Sequence, residues 1–217
     1  MDKNGNKQKH QCRYKLCSGT EGACSYSLVK EQAVLEAVKD LVKKATSAEK
    51  INERTDARKS HHSKLRIAMA ACPNACTEPQ TKDVGIIAIK VPSDIGPDCN
   101  ACGGCQAICR EEAIKLVNGK AQLVPERCVG CGQCISECPS KAISSEPLRF
   151  KILVGGRMGR HPRWAEQLYI VDSSGVVEAI QGFLDRLSRY ALPGERVASV
   201  AERIGIAGLR EETSINV

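Results

Sequence analysis

Cys99-Asn-Ala-Cys102-Gly-Gly-Cys105-Gln-Ala-Ile-Cys109 and Cys128-Val-Gly-Cys131-Gly-Gln-Cys134-Ile-Ser-Glu-Cys138-Pro139 are two copies of one pattern, Cys-x2-Cys-x2-Cys-x3-Cys. The copies keep a constant offset at all four cysteines (99 to 128, 102 to 131, 105 to 134, 109 to 138), and Ala113-Ile114 repeats as Ala142-Ile143 at the same offset. This is an internal repeat, not a scatter of thiols. A cubane iron–sulfur cluster needs four thiolates pointing inward. In this spacing three close cysteines wrap one cluster and the fourth reaches across to the other. The expected sets are therefore Cys99, Cys102, Cys105 and Cys138 for one [4Fe-4S] cluster, and Cys128, Cys131, Cys134 and Cys109 for a second. Gly103, Gly104, Gly130 and Gly132 let the backbone curl and aim N–H groups at sulfur. Structural zinc is the competing use of eight cysteines, but zinc ribbons rarely have this spacing.

The stretch resembles a bacterial two-cluster ferredoxin, with Arg110 where the first run would usually carry proline. The remaining chain is long enough for a domain into which such a unit is inserted. It has 217 residues, 42% hydrophobic but only 3% aromatic, so clusters are expected to organise interior space that rings would otherwise fill. No apolar run approaches the roughly 20 residues of a membrane span. Met1–His10 is polar and lysine-bearing, unlike a secretory signal. Thirteen cysteines at metal-ligand spacing, without an export signal, point to a reducing cytoplasm. The formal charge of +7 invites a nucleic-acid reading. Three oxidised clusters at about −2 each would bring it to roughly +1, however, and few aromatics are available to stack bases. No nucleic acid and no membrane are expected as partners.

Periodicity places an amphipathic helix over 27–46, with Leu28, Val34, Leu35, Val38, Leu41 and Val42 on one stripe. Strands are expected at 65–70, 84–91 and 149–154, with a linker at 92–97. Asp172-Ser-Ser-Gly reads as a helix start. The helix that follows carries Val176, Val177, Ile180, Phe183, Leu184 and Leu187 on one face, and a last helix covers 196–203. Cys72-x3-Cys76 directly follows the first of those strands. With Cys17 and Cys24 upstream, four ligands are available for a third cluster.

Lys64-Leu-Arg-Ile-Ala-Met-Ala-Ala-Cys72-Pro-Asn-Ala-Cys76-Thr-Glu-Pro-Gln80 followed by Asp83-Val-Gly-Ile resembles the signature of siroheme-dependent nitrite and sulfite reductases. Val154-Gly-Gly-Arg-Met-Gly-Arg-His-Pro-Arg163 resembles that family's later glycine–arginine loop. A two-cluster ferredoxin between those motifs is the arrangement of the dissimilatory and anaerobic sulfite reductases. The resemblance implies an α+β fold: a sulfite-reductase-like [4Fe-4S] domain in two parts, 1–92 and 148–217, around an inserted bacterial-type 2[4Fe-4S] ferredoxin domain at 93–147. It implies a cluster bridged through Cys76 to siroheme iron, with Asn74 orienting the cofactor. Arg157, Arg160, His161 and Arg163 would hold siroheme carboxylates, or else belong to a solvated loop that offsets cluster charge.

Two departures from the family pattern matter. Six residues separate Cys17 from Cys24, one more than the family's usual spacing, which leaves Cys12 as a spare thiol. Complete enzymes of the family also carry an N-terminal half that supplies much of the siroheme pocket and the cations that hold sulfite or nitrite. Only sixteen residues precede Cys17 here. The expectation is an electron-carrying iron–sulfur protein that passes electrons from two ferredoxin clusters to a third, beside a redox partner or reductase subunit or a second copy of itself. The alternatives are a minimal siroheme sulfite or nitrite reductase and a structural iron–sulfur subunit.

Overall fold

The computed structural model describes residues 12–29, 36, 37, 40, 65–192 and 194–210. Strands β1 (Cys12–Leu16), β2 (Leu65–Ala70), β3 (Val84–Ile89), β8 (Arg149–Val154) and β9 (Glu166–Asp172) form one sheet in the order β1-β2-β3-β8-β9. The first three are parallel, and β8 and β9 run antiparallel to their neighbours. Val-Gly-Ile-Ile-Ala-Ile is apolar throughout because β3 is central and covered on both faces. Val84, Ile86 and Ala88 turn one way, into the main core with Phe150, Ile152 and Val154. Ile87 and Ile89 turn the other way, into a smaller cluster with Leu153.

Helices α3 (Gly175–Tyr190) and α4 (Val197–Leu209) cover the main-core face through Val176, Ile180, Phe183, Val197 and Val200. Asp172 Oδ1 accepts hydrogen bonds from Ser174 Oγ (2.7 Å) and the Gly175 N–H (2.8 Å), which makes the expected start signal physical. The expected face of α3 is the buried one, except that Val177 and Leu184 are only partly covered and Ala179 completes it. The main core is packed by aliphatic side chains around Phe150 and Phe183, the only two phenylalanines.

Ile89 of β3 pairs with Arg149 of β8, so the chain leaves the sheet and re-enters it at neighbouring points. Between them lie β4 (Pro92–Ile95), α1 (Gly104–Ile108), β5 (Ile114–Val117), β6 (Lys120–Leu123), α2 (Gln133–Glu137) and β7 (Ile143–Ser145). β4 pairs with β7, and β5 with β6, as antiparallel two-stranded ribbons. The local core is small: Ile114, Ala121 and Ile143 packed with Cys105 and Cys134.

Several expectations need correction. Pro92–Ile95 is a strand, not a linker, because β7 returns alongside to pair with it. Residues 27–29 are not helical: the Leu28 N–H donates to the Ala71 carbonyl (2.9 Å) and Ser27 Oγ donates to the Gly19 carbonyl (2.6 Å). Residues 36, 37 and 40 are helical, and the rest of the expected 27–46 helix lies outside the described residues. Strand 84–91 ends at Ile89, after which Lys90 bridges to Cys131. The last helix runs on to Leu209, bent at Gly205, whose φ of 71° breaks the helical path. β1 and β9 carried no sequence signal strong enough to assign. Among the described residues no helix is long and apolar enough to cross a membrane.

Buried Asp83 ties the two central strands together, accepting from the Arg66 N–H (2.9 Å) and from Arg66 Nε (3.1 Å). Asp83→Ala strips both donors of their partner. It is expected to lower stability by about 2 kcal/mol in denaturant unfolding, with the surface-paired Glu112→Ala near zero.

Candidate functional site

β1 and β2 are parallel and in register through Leu16 and Met69, so their carboxyl ends meet at one edge of the sheet. Ends of neighbouring parallel strands are a natural place for a site, because the loops that follow diverge and leave a crevice. Cys17 follows β1, and its N–H donates to the Met69 carbonyl (3.2 Å). A 3₁₀ turn, Ser18–Glu21, ends at Gly22 in the left-handed region (φ 79°) and brings the chain round to Cys24. On β2, Cys72 lies just past the strand end, and Thr77 Oγ1, buried, donates to the Met69 carbonyl (3.0 Å). That bond folds the Cys72–Cys76 loop back over the strand it came from.

Cys17, Cys24, Cys72 and Cys76 thereby line one cleft of about 480 Å³, with Asn74 and Tyr26 on its wall. Cys72 is buried, Cys17 and Cys24 are half-buried, and Cys76 is exposed at the mouth. Burial raises the Cys72 thiol above its ordinary pKa. Neighbouring Cys76, Cys17 and Cys24 raise it further, against a backbone N–H from Asn74 that lowers it. The Ala71 N–H points at Cys17 Sγ (3.2 Å). Cys12 opens β1 while Cys17 follows its far end, about 16 Å away along an extended strand.

The other eight cysteines gather in two further sets. Cys99, Cys102, Cys105 and Cys138 line one small cavity of about 20 Å³. Cys109, Cys128, Cys131 and Cys134 line another of about 20 Å³. Each set takes three cysteines from one run and the fourth from the other. The exchange follows from the short helices: α1 and α2 each carry the third cysteine inward and end at the fourth.

Cys134 is pushed up to about 12 by burial and then by Cys131, Cys128 and Cys109. Burial likewise raises Cys105. Cys99 is lowered by backbone N–H groups of Ala121 and Ala101. Cys138 is lowered first by the hydroxyl of Ser140, which lies 3.6 Å from its Sγ. All twelve thiols of the three sets are free of disulfides. Among the described residues no three metal-ligating side chains meet closely enough to share one bare ion. A tetrahedral zinc would hold its sulfurs only about 3.8 Å apart, given a Zn–S distance near 2.3 Å. The sets instead ring a space, with buried thiols and N–H donors around it, and that donor chemistry fits a compact, positively charged inorganic core.

The basic loop is placed elsewhere. It follows Val154, which pairs with Val84, beside Ile67; Cys72 lies just past the other end of β2, which runs three residues, about 10 Å, further on to Ala70. None of Arg157, Arg160, His161 and Arg163 lines the cleft. Arg157 is tied to Glu202 (2.7 Å), Ser199 Oγ (3.4 Å) and the His161 carbonyl. Arg163 is tied to the Gly155 carbonyl (2.8 Å) and to Glu166. Arg160 and His161 are exposed. The structure thus brings Asn74 to the cleft and leaves the four basic residues apart from it. Thr77 and Ser140 were missed from sequence: hydroxyls are common, and only the folded loops bring these two to a strand end and a sulfur.

Residues 12–217 match the family model described as the nitrite and sulphite reductase 4Fe-4S domain. The coenzyme F420-dependent sulfite reductase of Methanocaldococcus jannaschii is 30% identical over 151 residues, 69% of this chain and 24% of that protein. A ferredoxin of Pyrobaculum islandicum is 45% identical over 47 residues, 21% of this chain and 44% of that protein. A crystal structure of dissimilatory sulfite reductase I superposes with a TM-score of 0.60 at 14% identity, covering 94% of this chain and 53% of that one, which is a likeness of fold. The chain spans about half or less of the length of each.

The thiol environments differ enough to be read chemically. In the iron-free chain, burial and its neighbours Cys131, Cys128 and Cys109 disfavour the Cys134 thiolate, whereas backbone N–H groups favour that of Cys99 and the Ser140 hydroxyl that of Cys138. Iodoacetamide labelling followed by peptide mass spectrometry is expected to modify Cys99 and Cys138 well before Cys134.

Proposed function

The chain belongs to the nitrite and sulphite reductase 4Fe-4S family, and on that premise we propose that it is an electron carrier holding three [4Fe-4S] clusters. The observation that carries this reading is the sorting of twelve thiols into three separate rings of four. Iron–sulfur clusters, when bound, supply reversible one-electron storage. The protein's part is to hold thiolates that burial and mutual repulsion would otherwise keep protonated, and to tune them with N–H donors. Cys17, Cys24, Cys72 and Cys76 form the strand-end set; Cys99, Cys102, Cys105 and Cys138 the second; Cys109, Cys128, Cys131 and Cys134 the third. Residues 93–147 are then an inserted ferredoxin-type unit, and residues 1–92 with 148–217 form the reductase-like part. A reducing cytoplasm suits so many free thiols.

Sulfite or nitrite reduction is a second reading, favoured by Cys76, the one exposed thiol of the strand-end set. An exposed thiolate at the mouth of the cleft is placed to be shared with a metal of another cofactor, siroheme. Arg157 and Arg163 hold the shape of the glycine–arginine loop, and none of its basic residues lines the cleft, so cations for the siroheme carboxylates would have to come from outside that lining. Any such pocket would be completed by a reductase subunit or a second copy packed against this cleft.

Anaerobically purified protein is expected to contain about twelve irons per chain. It should show a broad absorption shoulder that bleaches with dithionite. Fewer than eight irons would overturn the electron-carrier reading. The absence of any tetrapyrrole band would set aside siroheme binding by the chain alone.

A further inference from the structure

The two cysteine runs are copies in sequence but not in setting. Gly130 of the second run is buried, in the left-handed region at φ 74°, and a Cβ there would lie 3.0 Å from Ile89 Cβ and 3.2 Å from Val91 Cγ2. Gly132, also buried, has φ 68°, and a Cβ there would lie 3.3 Å from Leu28 Cδ2. The Lys90 N–H donates to the Gly130 carbonyl (2.8 Å), and Lys90 bridges to Cys131. Position 101 is the repeat partner of Gly130. There the chain carries Ala101 at φ 56°, half-buried, so the same backbone tolerates a methyl where no strand presses on it. β4 measures the direction: Pro92 lines the cavity of Cys128, Cys131, Cys134 and Cys109, while Ile95, three residues or about 10 Å further on, lines that of Cys99, Cys102, Cys105 and Cys138.

Contacts continue inward from the second run. Leu28, packed against Gly132, donates its N–H to the carbonyl of Ala71. Ala71 in turn precedes Cys72 and donates to Cys17 Sγ. In the first run Cys102 is exposed, beside Leu116, which is 38% exposed.

We propose that the Cys109/128/131/134 set is the inner station, seated on the sheet through Gly130, Gly132 and Leu28, and that the Cys99/102/105/138 set is the outer station facing an incoming donor. The proposal rests on the electron-carrier reading above. A low-potential one-electron carrier protein would lose one electron to the outer set. The same electron then passes to the inner set and on to the strand-end set, with no bond made or broken.

The test is electron paramagnetic resonance of anaerobically reconstituted, dithionite-reduced holoprotein with Cys102→Ser or Cys131→Ser. A serine oxygen is a harder ligand that lowers the potential of its own set and leaves it oxidised and silent. With Cys102→Ser, the two remaining signals are expected to keep their mutual magnetic broadening. With Cys131→Ser, broadening is expected to be lost. The reverse pattern, or the same result in both, overturns the order. A wild-type chain that binds no iron overturns the electron-carrier reading and this proposal with it. If a serine variant fails to fold, the repeat-matched pair decides by thermal unfolding of the holoprotein: Gly130→Ala should lower the midpoint and Ala101→Gly should not. Equal shifts would remove the seating argument.

Discussion

Four thiols facing one another across a dry space cannot all ionise unaided. Burial disfavours each thiolate, and each thiolate disfavours the next. Cys134, held near 12 by burial and three neighbouring cysteines, is the clearest case, and Cys72 is raised for the same two reasons. The rest of the molecule is arranged around that constraint. Backbone N–H groups are spent on sulfur at Cys17, Cys72, Cys99 and Cys109. The negative charge that these donors would leave uncompensated, were all four thiols ionised, is of the kind a cationic core balances.

The fold meets the constraint in two ways. At the sheet, a large aliphatic core fixes two parallel strand ends, and two tight loops hang the thiols from those ends. Between β3 and β8 there is no such foundation. The local core is a handful of small aliphatic side chains with Cys105 and Cys134 among them. A unit this small holds too little apolar surface to be stable by packing alone, so its cohesion is tied to what its cysteines bind. The insertion costs the sheet little, because Ile89 and Arg149 are already neighbours where the chain departs and returns.

Glycine marks where the two parts touch. Gly130 and Gly132 combine a left-handed backbone with close contact to Ile89 and Leu28, whereas the matched positions in the first run have room. A symmetric repeat thereby acquires an inner and an outer side. That asymmetry is imposed by the sheet it rests on and not by its own ligands.

Cysteine spacing by itself pointed to the grouping of the two runs into two sets of four, including the exchange of Cys109 and Cys138 between runs, because each short helix carries its third cysteine inward and ends at the fourth; the choice of Cys17 and Cys24 over Cys12 came from the family resemblance. Strands β2, β3 and β8 were legible too, as apolar runs that only a buried sheet accommodates. β1 was not: Cys-Arg-Tyr-Lys-Leu has no apolar run and is a strand only because β2 offers it an edge. β4 likewise exists only because β7 returns beside it. Tertiary structure alone decided that the glycine–arginine loop leaves the sheet at the strand end opposite Cys72 and lines no part of the cleft. It also decided that Arg157 and Arg163 are tied to this chain's own carboxylates, and that one cysteine run rests on the sheet while its copy faces outward. Those are facts of register and contact between segments far apart in sequence, which no local pattern encodes.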